Sequence, residues 1–187
     1  NKDRWTLRLK ADTQELALVE HLHDPAWINW QFNDVGWLPG GDQIWWLSEA
    51  SGYSHLYTTR GDGEVVQHSQ GEFEVTDVAW LPDGESALVL SNRAHPTQYD
   101  VYRLNAASQK MVRLTELKGV ESFSLHPRGT QALVLFSETY RPTQAVVVDL
   151  VNGDLSSQTD TINDAYSVID WQDPEFVAIP SRHGVEK

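Results

Sequence analysis

Serine, histidine and carboxylate side chains close together in a sequence raise the question of nucleophilic or metal chemistry. Ser48, Glu49 and His55 form such a trio within eight residues. A serine nucleophile of the hydrolase kind sits in Gly-x-Ser-x-Gly on a sharp strand-to-helix turn. That pattern is absent, and the nearest approach, Ala50-Ser51-Gly52, falls in a hairpin loop with no helix after it. No catalytic residue is therefore expected in this chain. The trio reads instead as structural, with Ser48 and Glu49 satisfying loop backbone and His55 and Tyr57 packed between layers. His21-x-His23-Asp24 sets two imidazoles on one side of an extended strand, since alternate residues share a face. A metal site needs three or four ligands, and no partner cluster stands nearby, so no metal and no cofactor are expected. Arg60-Gly61-Asp62 spells an adhesion tripeptide, but Gly and Asp are ordinary hairpin residues and no function is assigned to it.

The elements that hold these residues repeat. Gly36-Trp37-Leu38-Pro39-Gly40-Gly41, Ala79-Trp80-Leu81-Pro82-Asp83-Gly84 and Ser124-Leu125-His126-Pro127-Arg128-Gly129 share an apolar pair, a Pro and a Gly. Pro presets φ on the way into a tight turn and Gly supplies the positive φ that closes it. The prolines lie 43 and 45 residues apart. Each turn precedes an apolar run: Ile44 to Leu47, Ala87 to Leu90 and Ala132 to Phe136. A period of roughly 40–50 residues with about four strands per repeat is that of a β-propeller blade. The apolar runs do not alternate, so both faces are expected to be covered, as when a blade is packed between two neighbours.

The chain is accordingly read as all-β, a partial, open β-propeller. It has about three complete four-stranded antiparallel blades plus half a blade at the N-terminus. Residues 1–22 end an incomplete blade, with Arg4 to Lys10 alternating apolar and polar as a half-buried strand and Leu16 to Val19 as its partner. An aromatic loop runs from His21 to Asn33, and residues 23–70 carry most of it together with the first full blade. Residues 71–117 and 118–160 make the second and third. Asp62-Gly63 and Asn152-Gly153 are two-residue hairpin turns. Residues 161–187 form an exit segment, with a short strand or turn at Asp164–Trp171. No helical period is evident. Closed propellers need about four to eight blades. Three and a half leave two apolar blade faces bare, so the chain is expected to be part of a larger ring or to self-associate.

The 187 residues contain no Cys, which excludes disulfides and leaves the compartment open. A formal net charge of −13 argues against nucleic-acid and anionic-membrane partners. No run approaches the roughly 18–20 apolar residues of a membrane helix. The opening Asn1 to Trp5 has no apolar region behind its charges, so it is not a signal peptide and reads as the interior of a domain. These features fit a soluble protein and leave its compartment open. The eight Trp suit a tightly packed β core.

Trp46-Leu47-Ser48-Glu49-Ala50-Ser51-Gly52-Tyr53-Ser54-His55-Leu56-Tyr57 resembles the W-x-S-E-x-x-G-[YF]-x-H-L-Y signature of dipeptidyl peptidase IV-type members of the prolyl oligopeptidase family. Gly71 to Val75 is similar to the G-x-W-E-V that follows there, with Phe73 in place of Trp. Val19-Glu20 and Trp27-Ile28-Asn29-Trp30 are similar to the E…W-[VI]-N-W before that blade, and Phe176 to Val185 to the crossing from propeller to hydrolase domain. The resemblance implies an eight-bladed propeller capping an α/β-hydrolase domain in a serine exopeptidase that removes dipeptides from peptide N-termini. The Ser-His-Asp triad would lie past Lys187 and the paired Glu that hold the substrate amine before Asn1, so the segment alone should be inactive and its role would be to gate peptide access. Its partners would be peptide substrate, the remaining blades and the hydrolase domain. The resemblance also brings the Trp27–Phe32 loop toward the central cavity, with Trp30 and Phe32 as candidates for peptide contact and packing between blades as the competing reading. A non-enzymatic propeller serving as a docking platform is the alternative from a different class.

Overall fold

In the computed structural model, residues 2–59, 63–172, 174, 175, 177 and 179 are described. Arg60-Gly61-Asp62, and the exit stretch from Phe176 apart from Val177 and Ile179, lie outside the described residues. The architecture is a partial, open β-propeller. One two-stranded sheet pairs β1 (Asp3–Lys10) with β2 (Glu15–His23). Three four-stranded antiparallel meanders follow. The first blade is β3 (Val35–Trp37), β4 (Ile44–Ser48), β5 (His55–Thr59) and β6 (Val65–Gln67). The second is β7 (Val75–Trp80), β8 (Ser86–His95), β9 (Gln98–Asn105) and β10 (Met111–Arg113). The third is β11 (Val120–Leu125), β12 (Gln131–Glu138), β13 (Arg141–Asp149) and β14 (Leu155–Ser157).

The three Pro-containing corners join the first two strands of their blades and are built alike. Gly41 N donates to Leu38 O at 2.9 Å, Gly84 N to Leu81 O at 2.9 Å and Gly129 N to His126 O at 2.8 Å. This is a β-turn with glycine at its last position, and Gly84 and Gly129 both have a φ of 69°. The corners also sit side by side. A Cβ on Gly84 would lie 3.7 Å from Pro39 O, and one on Gly129 would lie 2.5 Å from Pro82 Cδ. Equivalent turns of successive blades thus touch in sequence, as stacking around an axis requires.

The core lies between blades. On β8, Ala87 and Val89 enter the cluster shared with the first blade, beside Leu47, Leu56, Val75 and Trp80. Leu88 and Leu90 enter the cluster shared with the third, beside Val101, Phe123, Val134 and Val146. An unbroken apolar strand is therefore buried on both faces. The same expectation for the third blade needs correction. On β12, Ala132, Val134 and Phe136 are buried, while Leu133 and Leu135 are 42% and 36% exposed. Among the described residues their face meets no further blade.

The other end of the arc is bare as well. The alternation along β1 is present, but its apolar side, Trp5, Leu7 and Leu9, is exposed, and Arg4, Thr6 and Arg8 are only partly so. Trp5 lies opposite His21, Leu7 opposite Leu18 and Leu9 opposite Leu16, with an irregularity between Thr6 and Leu7 that passes over Val19. Val19 packs on Ile44, Trp46 and Tyr57 of the first blade. Three further expectations are corrected. His21–His23 continues β2 rather than opening the loop. Trp30–Phe32 forms a 3-10 turn. Asp164–Ser167 forms a four-residue helix, capped by Asn163 Oδ1 accepting from Tyr166 N at 2.9 Å. Trp171 stacks on Tyr140 with centroids 4.7 Å apart, so this segment folds back on the β12–β13 hairpin.

Candidate functional site

The segment between β2 and β3 is built from short polar side chains that satisfy its backbone. Asp24 Oδ1 accepts from Ala26 N at 2.7 Å and Trp27 N at 3.0 Å. Asn29, at the cap of the 3-10 turn, accepts from Gln31 N through Oδ1 at 3.0 Å. Asn33 Nδ2 donates back to Trp30 O at 3.1 Å. Asn and Asp favour such turns because their side chains stand in for a backbone carbonyl.

This turn separates its two aromatics. Phe32 is 4% exposed and packs with Leu38, Leu47, Leu56 and Phe73 in the first interblade cluster. Trp30 is 60% exposed, as is Trp27 to a similar degree. A buried ring touches no ligand without repacking the core, so of the two candidates Trp30 is the one presented to solvent and Phe32 is its anchor.

Two charged residues hold the turn from opposite ends. Glu49 Oε2 accepts from Asn29 N at 3.0 Å. Arg4, on β1, reaches four groups. Its Nη1 donates to Phe32 O at 2.6 Å and Asn33 Oδ1 at 2.9 Å, and its Nη2 to Glu20 Oε2 at 2.8 Å and Leu47 O at 2.9 Å. The Arg4 and Glu20 side chains are largely shielded from water. Of the three guanidinium nitrogens of Arg4, Nε is the one without an acceptor. In the sequence Arg4 is one polar residue of an alternating strand. No local signal marks it, because three of its partners are 28 to 43 residues away.

The other candidate groups have structural partners. Ser48 and His55 are cross-strand neighbours, yet the ring nitrogens of His55 turn elsewhere. Nδ1 lies 3.0 Å from Ser69 Oγ and Nε2 3.1 Å from Gly71 O. A carbonyl only accepts, so Nε2 carries the proton and Nδ1 takes the Ser69 hydroxyl. Burial, which favours the neutral ring, pulls the His55 pKa below its ordinary value, against a smaller opposing contribution from the Gly71 bond, which favours the charged ring. Ser48 Oγ accepts from Ala50 N at 3.3 Å. No nucleophile–base relay exists here.

At the end of β2, His21 Nε2 and His23 Nδ1 each lie 2.9 Å from the same oxygen of Asp3. These bonds, from His23 first and His21 second, lower the Asp3 pKa. Asp24 is occupied by the loop amides. Among the described residues no group of three such side chains is placed to hold a metal ion. No helix of the described residues is long and apolar enough to cross a membrane.

With this geometry established, comparison with known proteins decides the family. The sequence pattern of the dipeptidyl peptidase IV (DPP IV) N-terminal region matches residues 2–143. The chain belongs to this family. Its fold is also that of solved members and relatives. Dipeptidyl peptidase 4 of Porphyromonas gingivalis superposes with a TM-score of 0.84 at 15% identity, over 99% of this chain and 27% of that one. Puromycin hydrolase superposes at 0.63 and 16% identity, over 85% and 25%. TolB from Acinetobacter baumannii superposes at 0.59 and 14% identity, over 87% and 42%. At such identities the likeness is one of fold. The chain spans about a quarter of the length of the P. gingivalis enzyme. No curated protein sequence matches.

Proposed function

We propose that this chain is the later part of the propeller of a dipeptidyl peptidase IV-type serine exopeptidase. In that role it gates peptide access to an α/β-hydrolase active site supplied elsewhere in the same protein. The observation that carries this reading is the family match over residues 2–143 on a chain that spans about a quarter of the P. gingivalis enzyme. The absence of Gly-x-Ser-x-Gly from the sequence supports a nucleophile outside the segment. Trp30 supports the gating role. An exposed indole on a turn fixed at both ends offers a flat apolar surface to a peptide side chain without a large ordering cost. Phe32 contributes from beneath, as the anchor of that turn. The exposed faces of β1 and β12 are the surfaces that further blades, or a second copy, would cover.

The test is turnover of Gly-Pro and Ala-Pro chromogenic amides by the full-length gene product and by residues 1–187 alone. The full-length protein releases the chromophore and is labelled by a fluorophosphonate at a serine outside residues 1–187; the segment does neither. Turnover by the clean segment, or none by the full-length protein, overturns the assignment. The TolB likeness keeps a second reading, a non-enzymatic docking propeller. That reading gains if the full-length product contains no serine reactive toward the fluorophosphonate.

A further inference from the structure

Arg4 lies far from Trp30 in sequence, and its hydrogen bonds reach the end of the turn that carries the indole. Its Nη1 holds Phe32 O and Asn33 Oδ1, the last residue of the Trp30 turn and its C-terminal cap. Its Nη2 holds Leu47 O on β4 and Glu20 on β2. One guanidinium therefore ties the half-blade, the aromatic turn and the first blade together. A planar fork with five donors in fixed directions is suited to this, and an ammonium is not. Glu49 holds the other end of the turn at Asn29 N. Between them Phe32 is locked into the core, leaving Trp30 the side chain presented outward.

We propose that Arg4 is a positioning residue for peptide affinity, acting through Trp30. The proposal rests on the reading above that Trp30 contacts peptide. Without the guanidinium, Phe32 O and Leu47 O lose a charged donor and the Glu20 carboxylate is left partly buried and unpaired. The turn then samples other conformations, and the indole reaches its bound position only part of the time. Apparent affinity falls by that fraction while the chemistry of bound substrate is unchanged.

The experiment is a double-mutant cycle on the full-length enzyme, using Arg4→Gln, Arg4→Lys and Trp30→Ala with a tetrapeptide amide substrate. Trp30→Ala is expected to raise KM about tenfold, the scale of one lost aromatic contact. Arg4→Gln is expected to raise KM roughly three- to tenfold with kcat within about twofold. In the Trp30→Ala background Arg4→Gln then changes KM by less than about twofold, because the residue it acts through is gone. Arg4→Lys retains charge but not the fork and falls between. It carries the same comparison if Arg4→Gln does not fold, which the melting temperature reports. A merely structural Arg4 would lower the melting temperature and shift KM equally in both backgrounds, and that result overturns the proposal alone. A Trp30→Ala enzyme with unchanged KM overturns both this proposal and the peptide-contact reading. Loss of all turnover on dipeptidyl amides by the unmodified protein would mark the failure of the enzyme assignment itself.

Discussion

Replacing Asp100 by Ala tests how the second blade is held. Asp100, on β9, is fully buried. Its Oδ2 accepts from Arg113 Nη2 at 2.6 Å and Nε at 3.1 Å. Its Oδ1 accepts from Thr115 Oγ1 at 2.8 Å and from Leu117 N at 3.3 Å. The carboxylate thereby fixes β10 and the connection to the third blade onto β9. Truncating one partner of a buried ion pair costs about 3–5 kcal/mol. The Arg113 side chain keeps 30% exposure, so it rehydrates and draws the cost to the lower end. Thr115 is buried and does not, and a stranded hydroxyl or amide costs about 1–3 kcal/mol. These penalties overlap in one network, which places Asp100→Ala at about 4 kcal/mol. Asp100→Asn keeps one acceptor for Thr115 and Leu117 and loses the ionic bond to Arg113, for about 1.5 kcal/mol. At roughly 2–4 °C per kcal/mol for a chain of this size, the Ala variant melts about 8–16 °C lower and the Asn variant about 3–6 °C lower. Calorimetry at neutral pH measures both, and a cycle with Arg113→Ala isolates the pair. An Ala variant melting within about 2 °C of the parent refutes the reasoning, since no partially satisfied arrangement of these donors is that inexpensive.

Other substitutions probe the packing and the charge. Gly36→Ala places a Cβ 2.7 Å from Trp45 Nε1; overpacking of this kind costs about 1–3 kcal/mol, read from urea midpoints, and an unchanged midpoint would mean the indole yields freely. His55 is held neutral by burial, so its folded pKa lies below its unfolded one. Its contribution is present above the unfolded value of about 6.5 and declines as pH falls toward the folded value. The urea midpoint of the parent should therefore drop more between pH 7.5 and 5.5 than that of His55→Gln; equal drops would contradict this. Leu133→Glu with Leu135→Lys removes apolar surface from the bare face of the third blade. Sedimentation velocity should show the isolated segment self-associating and the double variant doing so markedly less; a parent segment that stays monomeric at high concentration counts against an open arc with two exposed faces.

Much of the site had no signature in the chain. The Trp30 turn could be located, because Trp27-Ile28-Asn29-Trp30 precedes a recognisable blade, but nothing local separates a Trp that faces solvent from a Phe two residues on that faces the core. A 3-10 turn makes that separation, and the turn is held by Arg4 and Glu49 across the fold. The same holds for Asp3, whose carboxylate binds the two imidazoles one strand away through pairing that only the β1–β2 register brings about.

The amino-acid sequence on its own determined the repeating unit. Each blade's corners and strands follow from turn chemistry at Pro39, Pro82 and Pro127 and from apolar runs of a few residues, interactions that close within one hairpin. Tertiary structure alone decided which faces are covered. Leu88 on β8 and Leu133 on β12 occupy equivalent places in the pattern; the first is fully buried and the second is not, because only one has a blade on each side. Burial belongs to the neighbour as much as to the residue, and a strand's own sequence does not state whether that neighbour is there.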